Sequence, residues 1–290
     1  RLEALTHGAP YTYAALAEEE AAAPGQWAAS DMYKAVYGGF PFIDAGPLVM
    51  PSSKSFAQRA IIAAALAEGT SHLHGYTPCG DNESALQVAR SLGAQVEVDG
   101  TEVTITGIAA SFDCIKTLIG PDGKPQEDYE GNPVMDVGES GLLARLMIPI
   151  MAQLSPIDTG FKARGTLLNR HLTGAKEIME AFGASITYSF MPLSVHGPLN
   201  AGRAEISGKH GSQLISGLLI AERNSSLIVK DPKSIPYIFI TLEVLKKFGI
   251  KIGNEMLGGR DFLESDGDWS LCTEMVFKIK GGQKFKAADI

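Results

Sequence analysis

The stretch "LGAQVEV", residues 92–98, decides the fold, because it returns as "FGASITY" at 182–188 and "FGIKIG" at 248–253. Each copy has Leu or Phe, then Gly, a small or apolar residue, one further residue and a β-branched residue. That pattern reads as a helix that closes on glycine and runs into a strand. Glycine enters the left-handed C-terminal cap at no steric cost, and β-branched residues fit a pleated surface. Upstream of the three copies lie "NESALQVARS", "TGAKEIMEA" and "IFITLEVLKK", each with apolar residues at helical spacing. Further upstream comes another helix with a short strand: "SKSFAQRAIIAAALAEG" with "SHLHGY", "SGLLARLMIPIMAQLS" with "GFKARG", and "GSQLISGLLIAE" with "SSLIVKD". The unit is helix, strand, helix, strand, used three times between residues 50 and 280. Internal repetition of this kind predicts an α/β fold built from equivalent units. The polar, Gly-rich segments at 119–134 and 253–268 are expected to be loops. Residues 1–42 match no repeat; their Ala- and Glu-rich sequence around Pro24 suits a peripheral helix or an appendage.

Composition agrees with a folded protein. The chain has 290 residues, 45% hydrophobic and 20% charged, enough for one large or two ordinary domains. A net charge of −8 argues against bulk attraction to nucleic acid or to an anionic membrane, so any anion must be held by a local group of cations. No apolar run reaches the ~18 residues of a membrane span. The first residues lack the cationic start and apolar core of a secretory signal. Cys79, Cys114 and Cys272 are far apart and odd in number, which reads as reduced thiols in a cytoplasmic protein.

The first helix of each unit begins unusually. A helix N-terminus carries partial positive charge and favours Asp or Glu. The first copy instead has Lys54, Ser55 and Arg59; the second has Gly138, Ser140 and Gly141 with Arg145 one turn in; the third has Gly208, Lys209, His210, Gly211, Ser212 and Gln213. Small residues expose backbone N–H groups, and with a cation or neutral donor beside them they suit an anion. Three such starts point to N-termini that converge on one anionic ligand. Taken singly, each residue also has a structural reading: Lys54 and Arg59 reaching a surface carboxylate, Arg145 paired within its apolar helix, Ser212 and Gln213 as caps. Arg170, in "GTLLNRHLTG", stands at the mouth of the next helix, within reach of a ligand there. His72, His74, His171 and His196 show no metal-ligand spacing and read as structural residues.

In order, "PSSKSFAQRAIIAAALAEG", "GESGLLAR", "GTLLNRHLTGAKEIMEAFGA", "SGKHGSQLISGLLIA" and "SIPYIFITLEVLKKFG" resemble the first half of the 5-enolpyruvylshikimate-3-phosphate (EPSP) synthase family, over about residues 46–286. The resemblance implies three βαβαββ units forming one half of an inside-out α/β barrel, the enolpyruvyl transferase fold. It implies an appendage and lead-in strand over 1–45, a three-repeat domain over 46–280, and the start of a crossover to a second domain over 281–290. The implied reaction transfers the enolpyruvyl group of phosphoenolpyruvate to the 5-hydroxyl of shikimate 3-phosphate, with no metal or organic cofactor. Lys54, Ser55, Arg59, Ser212, Gln213, Ser234 and Tyr237 would hold shikimate 3-phosphate. Lys54, Gly141 and Arg170 would hold phosphoenolpyruvate. Lys54 would stabilise charge during catalysis. The implied partners are these two small molecules, with neither nucleic acid nor membrane; oligomeric state is not implied.

The sequence also departs from the family pattern. Glu139-Ser140-Gly141-Leu142 stands where Asn-Ala-Gly-Thr is usual, His171 where Pro commonly follows the arginine, Gly211 where Ser commonly precedes Ser212, and Phe239 where Asp is frequent. Glu139 places a carboxylate beside an expected anion site. The family's acid–base carboxylates belong to a second domain. Asp81, Asp136 and Glu139 are acid–base candidates by position, each with a structural reading as well. Two other functions stay open: enolpyruvyl transfer to a UDP-amino sugar, against which "SKSFAQR" speaks, and a non-catalytic half-domain that binds phosphorylated ligands.

Overall fold

The computed structural model describes residues 51–111, 114–221, 224–265 and 267–290. The unit formed by residues 51–290 is the subject here. The expected appendage and lead-in strand fall outside the described residues.

Six of the helices are those read from the sequence: α1 (Lys54–Leu66), α2 (Gly80–Ser91), α3 (Gly141–Leu154), α4 (Ala175–Ala181), α5 (Gln213–Ala221) and α6 (Ile235–Lys247). The strands are β1 (Thr70–Leu73), β2 (Gln95–Asp99), β3 (Glu102–Thr106), β4 (Val134–Asp136), β5 (Thr159–Lys162), β6 (Ser185–Ile186), β7 (Leu193–His196), β8 (Gly202–Ser207), β9 (Ser225–Lys230), β10 (Ile252–Gly258) and β11 (Cys272–Ile279). They form three sheets, ordered β1-β3-β2, β4-β5-β7-β6 and β8-β9-β11-β10. In the second and third sheets the first two strands are parallel and the others antiparallel, so both units are βαβαββ with one strand order.

The first sheet completes the same order with the C-terminal residues. Residues 285–290 run parallel to β1, with bridges Glu68↔Lys286 and His72↔Asp289. Amides and carbonyls alternate along the contact: Ala287 N–H donates to Glu68 O (3.1 Å), His72 N–H to Ala288 O (2.9 Å), Ile290 N–H to His72 O (2.9 Å) and His74 N–H to Ile290 O (2.7 Å). The segment therefore stands beside β1 as β4 stands beside β5 and β8 beside β9.

Segment 253–268, expected as a loop, is a correction. It contains most of β10 and the one-turn helix α7 (Arg260–Glu264). Gly253, Gly258 and Gly259 gave the loop signal, but β10 is an edge strand that pairs with β11 from Ile252↔Ile279 onward, and an edge tolerates glycine. The helix is held by an Arg260–Glu264 ion pair at 2.6 Å.

The core lies around α1, α3 and α5. They are buried from Gln58 to Leu66, from Leu142 to Leu154 apart from Arg145, and from Leu214 to Ala221. Helices apolar on every side belong in a protein centre. Helix α6 instead buries Ile235, Ile238, Thr241, Val244 and Leu245, one face at helical spacing. At the α3–α5 crossing Gly217 has no substitute: a Cβ there would lie 2.5 Å from both Leu146 O and the Pro149 ring. The central helices share one direction. Lys54, Gly141 and Gln213, at their N-terminal ends, line one cavity; Leu66, Leu154 and Ala221, at their C-terminal ends, line another.

Candidate anion-binding site

The N-terminal turns of α1, α3 and α5 contain no acidic residue, whereas α2 begins with Asp81 and Glu83 and α4 carries Glu177. The peripheral helices thus satisfy their own dipoles, and the central three leave theirs to whatever enters the cavity. The caps are neutral hydroxyls. Ser53 Oγ accepts from Phe56 N–H in α1, and Ser140 Oγ accepts from Leu143 N–H at 3.2 Å in α3. Ser140 Oγ also donates to Gln58 Oε1 at 2.7 Å, which fixes the start of α3 against α1.

The cavity measures about 390 Å³ and is lined by Lys54, Ser55, Asp81, Glu139, Gly141, Leu142, Arg145, Thr166, Arg170 and Gln213. It unites residues from five separate parts of the chain. Five of the expected site residues are here, Lys54, Ser55, Gly141, Arg170 and Gln213, and Arg145 joins them. A second cavity of about 650 Å³ adjoins it, shares Lys54, Asp81 and Glu139, and adds Arg164 and the start of α2.

Lys54 Nζ lies 2.7 Å from Asp81 Oδ2, and this carboxylate, by hydrogen bond and by charge, raises the ammonium pKa above its ordinary value. Lys54 is thus held cationic and suits charge stabilisation, not proton abstraction. Arg145 donates from Nη1 to Gly141 O (3.0 Å) and from Nη2 to His171 O (3.1 Å). Its pKa is lowered, first by burial and then by the charge of Arg170. Arg170 is exposed at the end of the short 3₁₀ turn Gly165–Asn169 and has no carboxylate partner among the described residues. Two guanidinium groups therefore face the same opening.

Glu139 does not neutralise them. Its Oε1 accepts from Thr166 N–H at 2.7 Å, which holds the carboxylate over Gly165. Gly165 has φ +57°, and a Cβ there would fall 1.8 Å from Glu139 Oε1. The backbone at Gly165 and the side chain at Glu139 thus require each other, a pairing that neither residue signals alone.

Four expected residues lie outside the lining. Arg59 stands behind the wall formed by Ser55 and is 1% exposed. Its Nε donates to Thr241 Oγ1 (2.7 Å), its Nη1 to Ser55 O (2.7 Å) and its Nη2 to Ser216 Oγ (3.1 Å). Burial lowers its pKa to about 10. Ser212 is buried, and its carbonyl accepts from Ser216 Oγ at 2.9 Å. Ser234 is exposed in the left-handed conformation (φ 55°) at the start of α6, and Tyr237 is partly exposed one turn on. Sequence reasoning missed the framing residues Gln58, Ser216 and Thr241; their signal was a polar residue on an otherwise apolar helical face.

The remaining candidates have local partners. Asp136 accepts from Gly138 N–H at 2.9 Å and lies 3.9 Å from Lys162. Phe239 stacks on Trp269 at 4.9 Å. His171 packs edge-on against Phe190, and His196 pairs with Asp158 at 2.5 Å. The three cysteines are free thiols. Among the described residues no group of acidic, Cys or His side chains has metal-site geometry, and no helix is long and apolar enough to cross a membrane.

The sequence profile of EPSP synthase (3-phosphoshikimate 1-carboxyvinyltransferase) matches residues 45–258. The chain belongs to the EPSP synthase family. Among curated family members, the 3-phosphoshikimate 1-carboxyvinyltransferase of Clostridium novyi is 32% identical, over 84% of this chain and 58% of its own length. That of Methanobrevibacter smithii is 31% identical, over 84% of this chain and 53% of its own length. The solved EPSP synthase of Acinetobacter baumannii superposes with a TM-score of 0.63 at 23% identity, covering 84% of this chain and 49% of that one. The chain thus spans about half the length of the relatives it matches. The fold is the three-unit α/β half expected from the sequence.

Proposed function

We propose that this chain supplies one half of a 3-phosphoshikimate 1-carboxyvinyltransferase active site, with shikimate 3-phosphate and phosphoenolpyruvate as substrates. The observation that carries the proposal is the convergence of three anion-free helix N-termini with Lys54, Arg145 and Arg170 on one cavity. Both substrates carry phosphate and carboxylate. These suit backbone N–H groups, the forked guanidinium and the point charge of Lys.

In this reading Ser55, Ser212, Gln213, Ser234 and Tyr237 surround shikimate 3-phosphate, and Gly141 and Arg170 orient phosphoenolpyruvate. Lys54 lies between the two. The shikimate 5-oxygen bonds to C2 of phosphoenolpyruvate as its proton is lost and C3 gains one. The tetrahedral intermediate then expels phosphate and gives a proton back from C3, leaving the enolpyruvyl ether. Lys54, held cationic, offsets charge on that intermediate. Arg59 serves the site through the frame, because it is 1% exposed and lies outside the cavity lining. Asp81 and Glu139 are committed to Lys54 and Thr166, so proton transfer falls to a second half of the site.

The test is calorimetric and kinetic. The 290-residue chain is expected to bind shikimate 3-phosphate with an affinity that falls with salt and with Lys54→Ala, and to release phosphate far below ~1 s⁻¹. Addition of a complementary second half from a relative should restore turnover. Ordinary turnover by this chain alone would overturn the division of labour. Preference for a UDP-amino sugar would overturn the substrate.

A further inference from the structure

The central helices have a second common end. Their C-termini border a cavity of about 460 Å³, with walls that include Leu66, Ile150, Leu154, Ile220 and Phe285. The volume lies within the ~300–1,000 Å³ of small-molecule sites. None of the anion-site residues lines it.

One polar side chain in this wall is unexplained. Gln153 lines the cavity, is 5% exposed, and its Oε1 is buried without a hydrogen-bond partner. A buried carbonyl oxygen without a partner is costly. Neighbouring backbone groups do not share the demand. Ala65 O, Leu66 O and Ala67 O accept from the amides of Ile108, Ala110 and Ala109, and Leu154 O accepts from Ile115 N–H. Among the described residues the Gln153 carbonyl oxygen thus stands without a partner, in a wall that is largely apolar but also carries Ser111, Asn224, Gln283 and Lys284.

We propose that this cavity binds a small neutral molecule with an apolar, aromatic-sized body and a single amide-like edge, which pairs with the Gln153 carboxamide. The unpartnered atom is the carbonyl oxygen, an acceptor, so the ligand edge must offer a donor. An anion beside Gln153 is disfavoured, because three helix C-termini present partial negative charge there and the cation of the lining, Lys284, is solvent-exposed. The two ends of the helix bundle thus select opposite chemistry. This inference is independent of the proposed transferase activity.

Benzamide is the probe, with toluene and inorganic phosphate as controls, followed by calorimetry and by the side-chain amide signal of Gln153 in ¹⁵N NMR. Benzamide should bind saturably and shift that signal, and Gln153→Leu should weaken it at least tenfold while toluene binding persists. Inorganic phosphate should bind in both proteins without moving the Gln153 signal. Ala221→Phe, which fills the cavity, should abolish binding of benzamide and toluene without altering phosphate affinity. The proposal fails if benzamide does not bind up to its solubility limit, if Gln153→Leu leaves its affinity unchanged, or if a crystal structure shows ordered water only on the Gln153 amide.

Discussion

Thr241→Val tests whether Arg59 is part of the frame. Valine keeps the shape of threonine and removes the hydroxyl, so no cavity confuses the result. That hydroxyl accepts from Arg59 Nε at 2.7 Å and donates to Ser216 Oγ at 2.7 Å. Loss of a hydrogen bond to a buried charge costs about 1.5–3 kcal/mol, and a neutral one about 1 kcal/mol. The sum is roughly 2.5–4 kcal/mol. For a domain of this size each kcal/mol moves Tm by about 2–4 °C, so Tm should fall by about 5–15 °C. Urea denaturation with an unchanged m value would give the free energy directly. Ser216→Ala should be destabilising too, and the double variant less so than the sum, because both hydroxyls serve one guanidinium. A cost below about 0.5 kcal/mol for Thr241→Val would refute the reasoning. Arg59 would then not be committed to its buried partners, and its direct contact with shikimate 3-phosphate would regain first place.

Gly217→Ala should cost about 1–3 kcal/mol or more, since its Cβ would meet Leu146 O and Pro149 at 2.5 Å; an unchanged Tm would show that α3 and α5 do not cross so closely. Asp81→Asn should tighten inorganic phosphate binding about 1.5- to 5-fold, because it frees a Lys54 that is 58% exposed from a carboxylate worth about 0.2–1 kcal/mol; weaker binding in calorimetry would count against the site. His74 is flanked by Glu102 and, at 2.5 Å, by Asp289, and Asp289 first and Glu102 next raise its pKa. A raised pKa means that the folded state holds the proton more tightly, so this contribution is complete below about pH 6.5 and is lost as pH rises through the raised value. Hydrogen exchange at His72, His74 and Ile290 should speed up across that window, after correction for intrinsic rates, and His74→Gln should remove the dependence.

The six helices were legible because each has apolar residues at helical spacing over two to four turns, and α1, α2, α4 and α6 are followed by a glycine shortly past the end. The strands were less so. β6 is two residues long and β4 three, too short for a period-2 pattern to be counted. The place of residues 285–290 beside β1 has no local sign at all. It follows from the strand order shared by the other two units. The cations of the site were legible by type and position along the helices. Their partners were not, because Lys54–Asp81, Arg59–Thr241 and Glu139–Thr166 join residues 27 to 182 positions apart. A single sequence shows which residues demand a partner, not which ones meet the demand.

The charges around the cavity explain why the site is receptive to an anion. Lys54 has its own counter-ion in Asp81, and Glu139 is tied to the Thr166 amide, so each carboxylate is committed away from the arginines. Arg145 is held by two backbone carbonyls, which orient it without neutralising it. Arg170 then bears on Arg145 unopposed, and the repulsion adds to the effect of burial in lowering the Arg145 pKa. An entering anion would relieve that repulsion and supply the negative charge that three helix starts lack. A monoanion bridging Arg145 and Arg170 removes the like-charge cost once, and a second anion in the same space gains the attraction without that relief. The arrangement therefore favours one phosphate or carboxylate at this end of the cavity, with Lys54 and Ser55 left to meet a further anionic group on the other side.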